Sequence, residues 1–174
     1  MSLKKKNISS LEGLVWQAIQ IYPVDKLEQF IVDPDERVRL AAARRLQVHG
    51  GRFGYELAVK LIKSDDVDLK IIGIFILGQL GSPDFPFLKT SQPILMALLG
   101  EKSRRVQREA MISLGHLGVD SAVSRIVNFA SSKDKKTRMA AAAALSRFEN
   151  NEIAKSALLR LSHDESEEVR YWAE

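Results

Sequence analysis

"IIGIFILGQLG" (residues 71–81) is almost wholly apolar, rich in β-branched side chains and without alternation. Three readings compete for it: a membrane span, a buried strand, or a helix covered on most sides. A membrane helix needs about 20 apolar residues, and this run offers roughly half of that before "SPDFP" interrupts it. A short apolar run alone does not separate strand from helix. The register of the surrounding chain does.

Five segments line up, one of them containing this stretch. They are "DPDERVRLAAARRLQVHG" (33–50), "SDDVDLKIIGIFILGQLG" (64–81), "EKSRRVQREAMISLGHLG" (101–118), "SKDKKTRMAAAAALSRFEN" (132–150) and "DESEEVRYWAE" (164–174). Each carries a branched or apolar residue followed by a basic or polar one: Val38-Arg39, Leu69-Lys70, Val106-Gln107, Thr137-Arg138 and Val169-Arg170. The spacings are 31, 37, 31 and 32 residues. Self-similarity at this period signals a repeat architecture. The long interval holds "SPDFPFLKTSQP" (82–93), read as a loop insertion.

Each unit reads as two helices, the second bearing the anchor pair. From Val38, helical spacing puts Ala42, Arg45, Leu46 and His49 on one side. The matching sets are Gly73, Ile76, Leu77 and Leu80; Ala110, Ser113, Leu114 and Leu117; and Ala141, Ala144, Leu145 and Phe148. A small residue lets neighbouring helices approach, and a leucine four residues on fills the space between them. First helices are expected over 24–32, 54–63, 92–99, 120–131 and 151–162. Asp33, Pro34 and Glu36 suggest an N-cap, a first-turn proline and a capping-box glutamate, and Asp164 with Glu167 repeats the device. Gly50, Gly81 and Gly118 sit where a glycine should stop the second helix, with Asn150 in that place in the fourth unit. The opening stretch is thus the second helix of unit two, apolar nearly all round because it touches its partner helix and both neighbouring units.

The fold class expected is all-α: a right-handed α-solenoid of about five two-helix repeats, the last incomplete. Repeats fall at about 23–50, 51–81, 82–118, 119–150 and 151–174, behind a cap helix at 11–22 containing Trp16. Residues 1–10, with "KKK" at 4–6, read as a disordered basic end to a single domain over 11–174. The array stops one turn into its last helix at "VRYWAE", which suggests further repeats beyond the C-terminus.

"VRLAAARRL", "VQREAMISLGHLG" and "TRMAAAAALSRF" resemble the HEAT-like repeats labelled phycobilisome-lyase type. "ARRLQVHGG" and "IGIFILGQL" also resemble the HEAT-repeat proteins encoded beside Rhs elements in enterobacteria, proposed to act in immunity. The resemblance covers roughly residues 24–174. It implies an α-solenoid with a binding role; the lyase label comes from a few bilin-attaching members and is not carried over.

Composition narrows the chemistry. The chain has 174 residues, no cysteine and a formal charge of +4. Lacking cysteine, it has no disulfide, thiolate nucleophile or cysteine-held metal, as suits a reducing cytoplasm. No N-terminal segment has a signal-peptide pattern. His49, His116 and His163 share no metal-ligand spacing, and "SHDES" (162–166) cannot form a triad from adjacent residues. No catalytic residue, metal or cofactor is expected. The acidic loops "DPDE" (33–36), "DD" (65–66) and "DESEE" (164–168) lack the ligand pattern of a calcium loop and read as helix caps.

Two sets of residues remain. Arg39, Lys70, Arg138 and Arg170 form a basic ladder, broken by Gln107, whose simplest role is structural pairing with the acidic loops. At about 100° per residue, the outward face of the second helices presents Arg44, Ile71, Phe75, Arg105, Arg108, Ile112, Met139 and Tyr171. Apolar anchors rimmed by arginine suit a protein or peptide partner of acidic character. A nucleic-acid surface would be mainly basic and polar. An alkylpurine-glycosylase-like protein needs aromatics around a cavity acid. The best acid here, Glu109, has neither Trp16 nor Trp172 nearby in sequence. A bilin-lyase-like enzyme is the remaining alternative. The expectation is a non-enzymatic protein-binding scaffold, of adaptor or immunity type, without membrane contact.

Overall fold

The computed structural model describes residues 10–174. The expected disordered basic end therefore lies almost wholly outside the described residues. Eleven helices occur among them, with no strand: α1 (Ser10–Gln20), α2 (Glu28–Ile31), α3 (Glu36–His49), α4 (Gly51–Ile62), α5 (Val67–Leu77), α6 (Leu88–Leu98), α7 (Arg104–His116), α8 (Val123–Ile126), α9 (Lys135–Leu145), α10 (Glu152–Leu161) and α11 (Glu167–Ala173). The odd-numbered helices from α3 onward form one layer, each packed on the next, and α1 packs on α3. The even-numbered helices form the second layer, each against its odd-numbered partner. The result is an α-solenoid.

Most of the periodic residues do what their spacing predicts, but His49 is exposed at the end of its helix. Leu46, Leu77, Leu114 and Leu145 are buried between the layers, as are Ala42, Ala110 and Ala141. Full burial of each leucine contributes roughly 1.5–3 kcal/mol. Small residues set the closest approaches. A Cβ at Gly73 would lie 2.6 Å from the Ala58 carbonyl oxygen of α4, and one at Gly115 would lie 2.9 Å from the Ala144 Cα of α9. Ile74 and Ile76 are fully buried, so the stretch that posed the strand question is helix because packing outweighs its weak helix propensity.

Helix starts correct the sequence reading by two residues. The cap of α3 is Asp35, whose side chain accepts from the Arg37 N–H. Asp33 lies further out and accepts from the Asp35 N–H at 2.8 Å. Pro34 therefore sits in the loop rather than in the first helical turn. The pattern recurs: Ser64, Ser132 and Asp164 accept from the N–H groups of Asp66, Asp134 and Ser166. Asp66 and Asp134 then cap α5 and α9.

Three further expectations shift. Gly81 and Gly118 adopt the left-handed backbone expected of stops, but Gly50 does not; Gly51 takes that conformation, at φ 49°. Gly50 is instead a point of contact, since a Cβ there would collide with the Leu46 carbonyl. The first helices of units one and four are broken. A 3-10 turn precedes α2, and α8 is flanked by 3-10 segments at 120–122 and 127–131. The third first helix begins at Leu88, earlier than expected, and runs through Pro93. Proline removes one N–H donor there, but Ser91, Leu95 and Leu98 are buried on either side of it.

Candidate functional site: the face of the odd-numbered helices

The basic ladder lies at the starts of these helices. Arg39 donates to the carbonyls of Asp33 (2.6 Å) and Pro34 (3.0 Å) in its own loop. Arg138 reaches the Ser132 carbonyl at 2.9 Å, and Arg170 the Asp164 carbonyl at 2.7 Å. Gln107 makes the equivalent bond to the Glu101 carbonyl at 2.7 Å. Two rungs also reach the next loop. Lys70 Nζ meets Glu101 Oε1 at 3.0 Å, and Arg138 forks onto Asp164 at 2.7 and 3.0 Å. These bonds hold the Asp164 and Glu101 carboxyls below their usual range.

Beyond the ladder, one cavity of about 290 Å³ opens between α5, α7 and α9. It is lined by Ile71, Arg105, Arg108, Glu109, Ile112, Lys136, Met139 and Ala140. Five of the eight sequence-selected groove residues therefore meet there. A second cavity, of about 370 Å³, joins Met139 to Glu167, Glu168, Tyr171 and Trp172. Met139 is common to both. Phe75 is half-buried and packs on the core, and Arg44 is exposed on α3; neither lines either of these two cavities.

The charges are less free than the sequence suggests. Arg105 pairs with Asp68 at 2.6 Å and Arg108 with Asp134 at 2.9 Å, each tying one odd-numbered helix to the next. The Asp134 carboxyl is lowered chiefly by its hydrogen bond from Thr137, then by Arg108. Glu109 is the opposite case. Burial alone pushes its carboxyl up to about 7. Outward-face spacing picked out Arg105, Arg108 and Ile112 but passed over Trp172, while Glu109 was marked only as the best candidate for a cavity acid. Glu109 is one residue from Arg108 and one turn from Arg105, and that adjacency was the available signal.

Among the described residues no cluster of three or more His, Asp or Glu could hold a metal ion. No helix among them is long and apolar enough to cross a membrane.

Two stacked layers, repeated five times with one helix of each pair turned to a common face, define an α-solenoid of the HEAT and armadillo kind. Residues 91–174 match the family model for HEAT repeats. That span, just under half of the chain, is thus similar to HEAT repeats, and the fold of the whole is that of such solenoids. The solved structure of YibA from Escherichia coli superposes with a TM-score of 0.63 at 22% identity, over 98% of this chain and 75% of that one. An engineered protein gives 0.58 at 19% identity, over 97% and 90%. A designed armadillo repeat protein in complex with the peptide (KR)4 gives 0.59 at 21% identity, over 87% and 79%. No curated protein sequence matches.

Proposed function

We propose that the protein is a non-enzymatic, cytoplasmic scaffold that binds a protein or peptide segment along the face of its odd-numbered helices. The observation that carries this reading is the cavity that gathers Ile71, Arg105, Arg108, Ile112 and Met139, continued through Met139 toward Tyr171. Apolar anchors beside charged groups are the composition of a protein-binding surface. A neighbour of like fold in complex with a peptide supports it. The cytoplasmic placement rests on the cysteine-free composition.

An acidic partner is supported by Arg44, which makes no ion pair among the described residues, and less by Arg105 and Arg108, which already have carboxylates. Adaptor and immunity-type roles both use such a surface, and a toxin-neutralisation assay separates them.

Affinity purification with wild type and with Met139→Ala, Tyr171→Ala and Arg44→Glu variants tests the surface. Loss of the partner from the Met139 and Tyr171 variants is expected, with circular dichroism unchanged. Full recovery by all three would remove this face from the argument.

A further inference from the structure

Glu109 is the unusual group on this face. It is half-buried in the cavity wall, and among the described residues its carboxylate has no hydrogen-bond or ion-pair partner. The cations that share the cavity are engaged elsewhere or exposed. Arg105, one turn before it on α7, is held by Asp68 of α5. Arg108, its neighbour, is held by Asp134 at the start of α9. Lys136 of α9 is exposed and makes no ion pair among the described residues, though its charge helps lower the Glu168 carboxyl. Around this carboxylate the walls are Ile71, Ile112 and Met139. A cavity with apolar side chains on its walls and a carboxylate that has no partner among the described residues is complementary to a side chain with an apolar stem and a cationic head. An acidic ligand group would instead place a second unneutralised carboxylate beside the first.

We propose that this cavity is the subsite for an arginine side chain of the bound segment. Its methylene stem lies along Ile71, Ile112 and Met139, and its guanidinium meets Glu109. Arginine is favoured over lysine because the guanidinium is more weakly hydrated and forks onto a carboxylate through two hydrogen bonds. Burial, which pushes the Glu109 carboxyl up to about 7, makes the subsite pH-dependent. The cation must find the carboxylate ionised, so affinity rises as pH rises through that range. The inference rests on the groove reading above, but its test needs no natural partner.

The probe is N-acetyl-arginine methylamide, titrated into the full chain and followed by the Met139 methyl and Glu109 carboxyl NMR signals. Both signals should move, with N-acetyl-glutamine methylamide moving neither. Affinity should increase between about pH 6 and about pH 8. Glu109→Gln should weaken binding about tenfold, the scale of one charge-assisted hydrogen bond. Lys136→Gln, which removes an exposed competing cation, should tighten it.

Equal response to the glutamine probe, unchanged affinity in Glu109→Gln, or no gain in Lys136→Gln would each overturn the proposal. The Lys136 variant keeps the test decisive should Glu109→Gln fold poorly. Failure here would leave the groove reading to be judged by the purification experiment alone.

Discussion

Gln107 occupies a place that arginine or lysine holds in the other four units, and one amide makes the same loop-carbonyl bond. The register explains why a charge is not needed there. Lys70 and Arg138 each reach an acid in the following loop, Glu101 and Asp164, six residues before the next rung. The residue at that place after Gln107 is Ser132. Replacing Gln107 by Arg alone should therefore leave stability within about 0.5 kcal/mol, while Gln107→Arg with Ser132→Asp should show favourable coupling of about 1 kcal/mol in a urea double-mutant cycle. Arg138 is the reverse case: it is 8% exposed and bound to Asp164, Glu165 and its own loop. Arg138→Ala strands a buried carboxylate and should cost about 3 kcal/mol in chemical denaturation.

Glu109 gives stability a slope of unusual sign. Its folded value of about 7 lies above the ordinary 4.5. Between those values the folded chain keeps a proton that the unfolded chain has released, so stability falls as pH rises and then levels off. Glu109→Gln should be more stable than wild type at about pH 8 by on the order of 2 kcal/mol, and nearly equal to it at about pH 4. Thermal melts across that range read the difference. Glu109 was visible in the sequence as an acid near the outward stripe. Its missing partner was not, because that depends on Arg105 and Arg108 turning to Asp68 and Asp134 on adjacent helices.

At the level of elements, the second helices were readable and the first ones only in part. The second helices carry a fixed small-residue and leucine pattern because each contacts a neighbour on either side. The first helices face solvent on one flank, so their pattern is thinner, and the breaks around α2 and α8 left no periodic mark. The two-residue displacement of the helix starts has a local cause: a side chain at the loop entrance turns back to the cap residue's N–H before the cap itself acts. Proline and acid counts do not reveal that turn.

The spacing between α5 and α7 is set by Gly78 against Ser113. A Cβ on Gly78 would lie 2.4 Å from the Ser113 Oγ. Gly78→Ala should lower stability by about 1–3 kcal/mol through overpacking. Ser113→Gly in the same chain should recover part of that loss, since it removes the atoms in the way. If the two changes simply add in thermal denaturation, Ser113 is not what sets the distance.

Across the molecule, stability is a chain of neighbour-to-neighbour terms. Inner helices α5, α7 and α9 have a packed partner on both sides in their layer, while α11 has one. Amide exchange should be slowest in α5, α7 and α9 and fastest in α1 and α11, in a graded rather than uniform profile. Acid should weaken the junctions themselves. Asp134, Asp164 and Glu101 titrate below their usual range, so their contribution is present above the ordinary carboxylate values and is lost as pH falls through the lowered ones.

The six extra residues of the long interval fall between α5 and α6, around Ser82, Pro83 and Asp84, all exposed. The stack absorbs them without losing step, because α5 and α7 still meet through Gly78 and Ser113. That makes this bend a natural splice point. A fluorescent reporter or an affinity handle grafted at Asp84 would attach at an exposed position that supplies no wall of either cavity.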